Sequence, residues 1–72
     1  MASELCPGAG KQVWPELLGA QASVAVATIR RENANVRPVV IPEGSVVTAD
    51  FRCDRVRVWV KGSIVSRVPG IG

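Results

Sequence analysis

The sequence predicts a small α+β domain in which one α-helix packs on a small mixed β-sheet. Apolar residues recur at helical spacing from Ala22 to about Glu32, which predicts the helix. Segments 36–41 and 55–60 are rich in β-branched residues and predict the main strands. A chain of 72 residues has an interior for a single hydrophobic core, so we expect 1–72 to form one domain.

The part of the chain before the helix contains two features. Residues 1–13 carry proline and glycine and show little periodicity, which predicts an irregular arm. Trp14 offers a large apolar surface, and Pro15 with Glu16 suits the first turn of a short helix that Gly19 would end. We therefore expect the arm to need a tether, which Cys6 could supply.

The main helix and the first strand have clear boundary signals. Cations at Arg30 and Arg31 complement the negative end of the helix dipole, and 33–35 ends the helix. The following segment, 36–41, is predicted as a buried strand, and Pro38 must lie where its missing N–H is harmless.

The second strand alternates strictly between two kinds of residue. This alternation puts three valines on one face and three other residues on the opposite face: Val56, Val58 and Val60 against Arg55, Arg57 and Trp59. Residues 61–63 then predict a tight turn, and residues 64–68 predict a short strand that runs antiparallel to the second strand.

Composition narrows the class of protein. An apolar fraction of 47% with 21% charged residues is typical of a globular chain, and no apolar run is long enough to span a bilayer. The N-terminus lacks the pattern of a secretory signal, so we expect a cytosolic protein or a mature form without its targeting segment. The net charge of +3 is modest and its arginines are spread out, which disfavours nucleic acid as a partner.

Two cysteines and no histidine argue against a structural metal site. A disulfide between Cys6 and Cys53 is the favoured interpretation, with two reduced cysteines as the alternative. The absence of histidine also argues against catalysis, because no serine has a recognisable base. We expect no metal, no cofactor and no enzymatic activity, and the phosphate-loop-like segment 8–11 is a chance match because Gln12 follows its lysine.

The connection between the two main strands is the informative segment. Residues 42–54 carry apolar side chains where a surface connection is normally polar, and long ordered connections are often binding loops. Val46, Val47, Ala49 and Phe51 could be its contact residues. The alternative is an ordinary strand at Val46 and Val47 with Phe51 in the core, and composition alone does not decide between the two.

Three segments, 14–17, 42–48 and 51–58, resemble signatures of the potato inhibitor I family of plant serine protease inhibitors, to which eglin of leeches is related. The resemblance runs from the Cys6 arm to the closing residues 68–72. It implies one helix on a small sheet with two parallel central strands, and a long exposed inhibitory loop, 44–55, between them. Two departures are a turn at 61–63 about one residue shorter than the family's and a small residue at Ala49.

The resemblance also implies roles for particular residues. The reactive bond would join Ala49 to Asp50, with Ala49 in the primary pocket of the protease. Arg55 and Arg57 would support the loop from the neighbouring strand through Thr48 and Asp50, and Cys6 and Cys53 would form the family's disulfide. The loop residues expected to contact the protease beside that bond are Val46, Val47, Thr48, Phe51 and Arg52.

The implied partners are serine proteases. A small residue at Ala49 favours subtilisin-like and elastase-like enzymes over trypsin, and weak binding of chymotrypsin-like enzymes through the flanking contacts is the further expectation. We expect a monomer without nucleic-acid or membrane partners, and a secreted or vacuolar location follows from the disulfide, with a cytoplasmic one left open. Two alternatives are a nucleic-acid module using Arg55, Arg57 and Trp59, and a storage protein that inhibits no protease.

Overall fold

The computed structural model describes Cys6 and residues 10–72 of the chain. Most of the predicted arm, including Gly8 and Ala9 of the phosphate-loop-like segment, lies outside the described residues. The described elements are a short 3₁₀ helix, one α-helix and four strands: 3₁₀ Pro15–Leu17, α1 Ala22–Glu32, β1 Arg37–Pro42, β2 Arg55–Lys61, β3 Ile64–Val65 and β4 Gly70–Ile71. None of the described helices is long and apolar enough to cross a membrane.

Strand β2 is the centre of the sheet. It pairs in parallel with β1, where Arg37 lies opposite Arg55, and antiparallel with both β3 and β4. The chain therefore leaves β1 at one end of the sheet and must return to the opposite end before β2 can begin. This geometry confirms the predicted fold class, one helix on a small mixed sheet with a long loop between two parallel strands.

The core lies between α1 and one face of the sheet. The predicted alternation of β2 is confirmed, because Val56 and Val58 are fully buried and the intervening arginines are not. Helix α1 contributes Ala25 and Ile29 to the same core. The core is completed by side chains from the 3₁₀ helix and its N-cap, from the residue before β1, and from β2 and β3: Trp14, Leu17, Val36, Val60 and Val65.

The described end of the arm is fixed to the C-terminal end of α1. The indole Nε1 of Trp14 donates to Glu32 at 3.0 Å, and the side-chain amide of Asn33 donates to the carbonyl of Lys11 at 2.9 Å. The Lys11 ammonium bridges Glu32 and Glu16 and holds the pKa of both carboxyls below their usual range. These contacts hold Lys11 and Trp14 against the C-terminal end of α1.

Strand β1 differs from the prediction of a buried strand at 36–41. It runs one residue further along the chain, and Val39 and Val40 are 37% and 46% exposed. The reason is that β1 is an edge strand, so that helix and sheet cover only part of it. The edge position also accommodates Pro38, because the N–H of Arg37 bonds to the carbonyl of Asp54 and the next nitrogen points to the open side.

The C-terminal segment also differs from the prediction. The strand expected at 64–68 is only Ile64–Val65, and a further strand that the sequence did not indicate, Gly70–Ile71, pairs with β2. Two-residue strands carry no periodicity, so neither boundary could be read from the sequence. The consequence for the site is that Gly72 comes to lie beside the start of β2.

Candidate functional site

The connection between β1 and β2 is an exposed loop. Residues 44–54 belong to no helix or strand, and all of them are classed as exposed. Val46 is 99% exposed and Phe51 is 51% exposed, so the alternative of an ordinary strand with Phe51 in the core is excluded. Apolar side chains held in solvent on a well-defined loop indicate a binding surface rather than a simple connection.

The upstream end of the loop is a tight turn. The N–H of Ser45 donates to the carbonyl of Pro42 at 3.1 Å, and Gly44 has a φ of 87°. A β-turn with glycine in its third position is typical of type II, where a side chain would be strained. The N–H of Glu43 also extends the β1–β2 ladder by bonding to the carbonyl of Val60 at 2.8 Å.

The middle of the loop is held by side chains from β2. Residues 46–51 make no backbone–backbone hydrogen bond with the rest of the described chain. The Arg57 guanidinium donates from Nη2 to the carbonyl of Thr48 at 2.9 Å and to its hydroxyl at 3.1 Å. The Arg55 guanidinium donates from Nη2 to the carbonyl of Asp50 at 2.8 Å and from Nη1 to its carboxylate at 3.2 Å.

These contacts place the peptide between Ala49 and Asp50 at the centre of a clamp. The supporting arginines hold the residues on either side, Thr48 and Asp50, while Ala49 stays exposed. The two arginine side chains are only 17% and 18% exposed, so their charge-assisted hydrogen bonds lie partly shielded beneath the loop. The pairing expected from the resemblance, Arg55 and Arg57 with Thr48 and Asp50, is therefore present in the geometry.

The Asp50 carboxylate is stabilised in its charged form. The Thr48 hydroxyl donates to it, Arg55 bonds to it, and Arg57 Nη2 lies 3.7 Å from Oδ1. The hydrogen bond from Thr48 is the largest cause that lowers the pKa of Asp50; desolvation opposes it, and the positive charge of Arg55 and its hydrogen bond help to hold the pKa below its usual range. Protonation of Asp50 in acid would therefore remove the negative charge that pairs with Arg55.

We expect acid to loosen the clamp. The pKa of Asp50 is lowered in the folded protein, so its contribution is fully present above the ordinary value of 3.8 and is lost as the pH falls through the lower folded value. An NMR titration of the Asp50 side-chain carboxyl should give a midpoint below 3.8, with the Thr48 amide resonance shifting over the same range.

The Asp50→Asn variant is the control for this titration. It keeps the size of the side chain but removes the titrating group, so its Thr48 amide should no longer shift in that range. A midpoint for Asp50 at or above 3.8 would show that the contacts with Thr48 and Arg55 do not outweigh the desolvation of the carboxylate in solution.

The downstream end of the loop is held by several contacts. The disulfide between Cys6 and Cys53 joins Cα atoms 5.4 Å apart and ties the arm to the end of the loop. The N–H of Arg52 donates to the carbonyl of Gly72 at 3.3 Å, and the Arg52 guanidinium pairs with Asp54 through two bonds of 3.0 Å. In the chain-entropy model, closing a loop with a sequence separation of 47 stabilises the fold by about 4 kcal/mol.

Gly72 is a supporting residue that sequence reasoning missed. Its carbonyl accepts a hydrogen bond from Arg55 Nε at 2.8 Å, and its N–H donates to the carbonyl of Arg55 at 3.0 Å. The ring of Phe51 lies against it, where an added Cβ would be 3.6 Å from Cε2. The contact depends on the short strand β4, which no sequence pattern indicated.

The side chains around the loop are engaged in contacts within the protein. In the part of the chain that the structure describes, no group of three or more cysteine, aspartate or glutamate side chains could hold a metal ion. Arg55 and Arg57 bond to the loop, and the Arg67 guanidinium lies over the ring of Trp59 at 4.3 Å. This face of β2 is thus occupied by contacts within the protein, which favours loop support over a nucleic-acid platform.

Comparison with known proteins agrees with this arrangement. The model of the potato inhibitor I family matches residues 7–72. A Glu S. griseus protease inhibitor of Momordica charantia is 58% identical over 64 residues, covering 88% of this chain and 94% of that protein. An inhibitor of trypsin and Hageman factor of Cucurbita maxima is 53% identical over 68 residues, covering 93% of this chain and 97% of that protein.

Solved structures of protease inhibitors have the same fold as this chain. The crystal structure of the bitter gourd trypsin inhibitor superimposes with a TM-score of 0.86 at 56% identity, covering 88% of this chain and 94% of that one. Fold and site together define a protease inhibitor, not an enzyme. The chain belongs to the potato inhibitor I family, which confirms the resemblance seen in its sequence.

Proposed function

We propose that the protein inhibits serine proteases by presenting residues 44–55 as a substrate-like loop with Ala49–Asp50 as the reactive bond. The observation that carries the proposal is the pair of arginine contacts, Arg57 with Thr48 and Arg55 with Asp50, on either side of that peptide. Val46, Val47, Phe51 and Arg52 are the proposed flanking contacts with the protease. The disulfide supports a secreted protein, in keeping with an oxidising compartment.

A rigid loop explains inhibition rather than cleavage. An extended segment forms main-chain hydrogen bonds with a protease cleft while its side chains fill successive pockets. Because the loop is already held by β2, little conformational entropy is lost on association, and the complex is tighter than one with a free peptide. If the enzyme attacks the carbonyl of Ala49, the amine of Asp50 remains clamped and can re-form the bond.

The side chain at the reactive bond sets the proposed specificity. Alanine suits a small primary pocket and is tolerated by a deep apolar one, whereas a pocket with a buried Asp requires Lys or Arg. We therefore infer a preference for subtilisin-like and elastase-like proteases over trypsin. A relative named as an inhibitor of trypsin gives reason to test trypsin as well. The basic residue nearest to the proposed bond is Arg52, and its guanidinium is already paired with Asp54, which disfavours its use in the primary pocket of trypsin.

A titration against four enzymes tests the proposal. The purified protein is titrated against subtilisin, pancreatic elastase, chymotrypsin and trypsin, and mass spectrometry locates any bond that is slowly cut. Tight inhibition of subtilisin or elastase with cleavage after Ala49 supports both the function and the site. Inhibition of trypsin with cleavage after Arg52 would move the reactive bond, and rapid cleavage throughout 44–55 would contradict a rigid loop.

A further inference from the structure

The upstream end of the loop has a support of its own. Glu43 is the second residue of the turn that begins the loop, directly before Gly44. Its carboxylate accepts hydrogen bonds from the Ser66 hydroxyl, from Arg67 Nε at 2.9 Å and from Arg67 Nη2 at 3.0 Å. Residues distant in sequence therefore converge on one side chain at the loop entrance.

The arginine in this cluster is itself positioned. The Arg67 guanidinium lies over the indole ring of Trp59, with Cζ 4.3 Å from the ring centroid. Such stacking leaves the edge of the guanidinium free, and the edge donates both bonds to Glu43. The neighbouring backbone is fixed as well, because the N–H of Ser66 donates to the carbonyl of Trp59 at 2.9 Å.

The cluster continues the row of side chains that supports the middle of the loop. Arg55, Arg57 and Trp59 alternate along the outward face of β2. The first two bond to Asp50 and Thr48, and the third positions the arginine that bonds to Glu43. The outward face of β2 therefore supports the loop at three positions, namely Asp50, Thr48 and Glu43.

The Glu43 carboxylate is held in its charged form by the same contacts. The hydrogen bond from Ser66 and then those from Arg67 hold the pKa of Glu43 below its usual range. The Glu43 side chain is 29% exposed, against 56% for Arg67, so the acceptor is the more shielded partner. The contact differs in this way from a pair of fully solvated charges on the surface.

We propose that Glu43, Ser66, Arg67 and Trp59 form an upstream clamp that positions Val46 and Val47 for the protease. The inference rests on the proposed inhibitory function, since Val46 and Val47 precede the proposed reactive bond. Val46 is 99% exposed and makes no backbone–backbone hydrogen bond with any described residue, so its path is set by the supports on either side. Those supports are the turn at Glu43 and the bond between Arg57 and Thr48. The clamp residues are positioning residues, because they reach the protease only through the loop.

Loop order in the free protein tests the clamp directly. ¹⁵N relaxation is measured for Val46 and Val47 in the wild type and in Glu43→Ala, Arg67→Ala and Arg67→Lys. In the two alanine variants the order parameters should fall from near the rigid value of about 0.85 to about 0.6 or below. Arg67→Lys should fall partway, because lysine lacks both the fork and the planar stack.

The control is Glu16→Ala, which removes an exposed glutamate paired with Lys11 at a site away from the loop. Its loop order should be unchanged. The double variant Glu43→Ala/Arg67→Ala should lose no more order than Glu43→Ala alone, because Glu43→Ala already removes the partner of Arg67 together with the bond from Ser66. Inhibition constants for the best-inhibited enzyme should rise about threefold to tenfold in the alanine variants and stay constant in the control.

The outcomes separate the clamp from the inhibitory function. Unchanged order of Val46 and Val47 in Glu43→Ala and Arg67→Ala overturns the clamp, even if the wild type inhibits strongly, and leaves only a surface ion pair. Reduced order in both variants supports the clamp, even if the wild type inhibits none of the enzymes. In that case the inhibitory function fails and the structural role of the cluster stands.

Discussion

Replacing Ala49 with arginine should make the protein a strong trypsin inhibitor. The side chain of residue 49 is exposed on a loop whose backbone is fixed by Arg55 and Arg57, so the new guanidinium can enter a primary pocket without rearrangement of its surroundings. Trypsin carries a buried Asp in that pocket, which alanine leaves unpaired and arginine satisfies. We expect the inhibition constant for trypsin to fall by about 10³-fold or more, as measured by competitive titration.

A matched variant shows whether the gain in trypsin inhibition requires the arginine to be at residue 49. Val46→Arg adds the same charge to the same loop at a side chain that is 99% exposed, three residues before Ala49. It should change trypsin inhibition by less than about tenfold, because a flanking residue does not reach the buried Asp of the primary pocket and the added charge acts only through general attraction and the rim of the contact. An equal gain from Val46→Arg and Ala49→Arg would contradict the assignment of Ala49 to the primary pocket, and so would cleavage at a different bond.

The elements with strong periodicity could be predicted from the sequence. The helix bounds at Ala22 and Glu32 agree with the structure because apolar spacing and the terminal arginines point the same way. The alternation from Arg55 to Val60 is confirmed because one face of β2 packs against the core and the other does not. In both cases local pattern and tertiary burial coincide.

Elements that depend on distant partners could not be predicted. Strand β4 and the place of Gly72 follow from pairing with β2, and a two-residue segment has no pattern to reveal it. The contact between Glu43 and Arg67 joins residues 24 apart, and Arg67 falls in a region that the sequence assigned to a strand. Exposure of β1 was missed because β-branched residues are typical of both central and edge strands.

The loop itself lies between these cases. Composition left Val46, Val47 and Phe51 equally compatible with a strand and with a binding loop, since apolar residues are normally buried. The family resemblance favoured the loop, and the structure gives the physical reason that such a loop can stay in solvent. Its backbone is held by Arg55, Arg57, Gly72 and the turn at Glu43 rather than by burial.

Removing both supporting arginines should turn the inhibitor into a substrate. The Arg55→Ala/Arg57→Ala variant loses the hydrogen bonds to the carbonyls of Thr48 and Asp50 and those to the two side chains. The loop then has to be ordered on binding, and the amine of Asp50 is free to leave after attack at Ala49. We expect inhibition to weaken by about 10²- to 10³-fold and hydrolysis of the Ala49–Asp50 bond to accelerate by a similar factor.

Two further variants separate loop support from charge and folding. Arg30→Ala removes an exposed arginine in the last turn of α1 and should leave both inhibition and cleavage unchanged. Arg55→Lys/Arg57→Lys keeps the charge but loses the forked geometry, so it should fall between the wild type and the alanine variant. Cleavage is followed by mass spectrometry and folding by thermal unfolding. A double alanine variant that stays folded and is cut no faster than the wild type would mean that the remaining supports are sufficient to hold the loop. Those supports are the disulfide, the bond between Arg52 and Gly72, and the turn at Glu43.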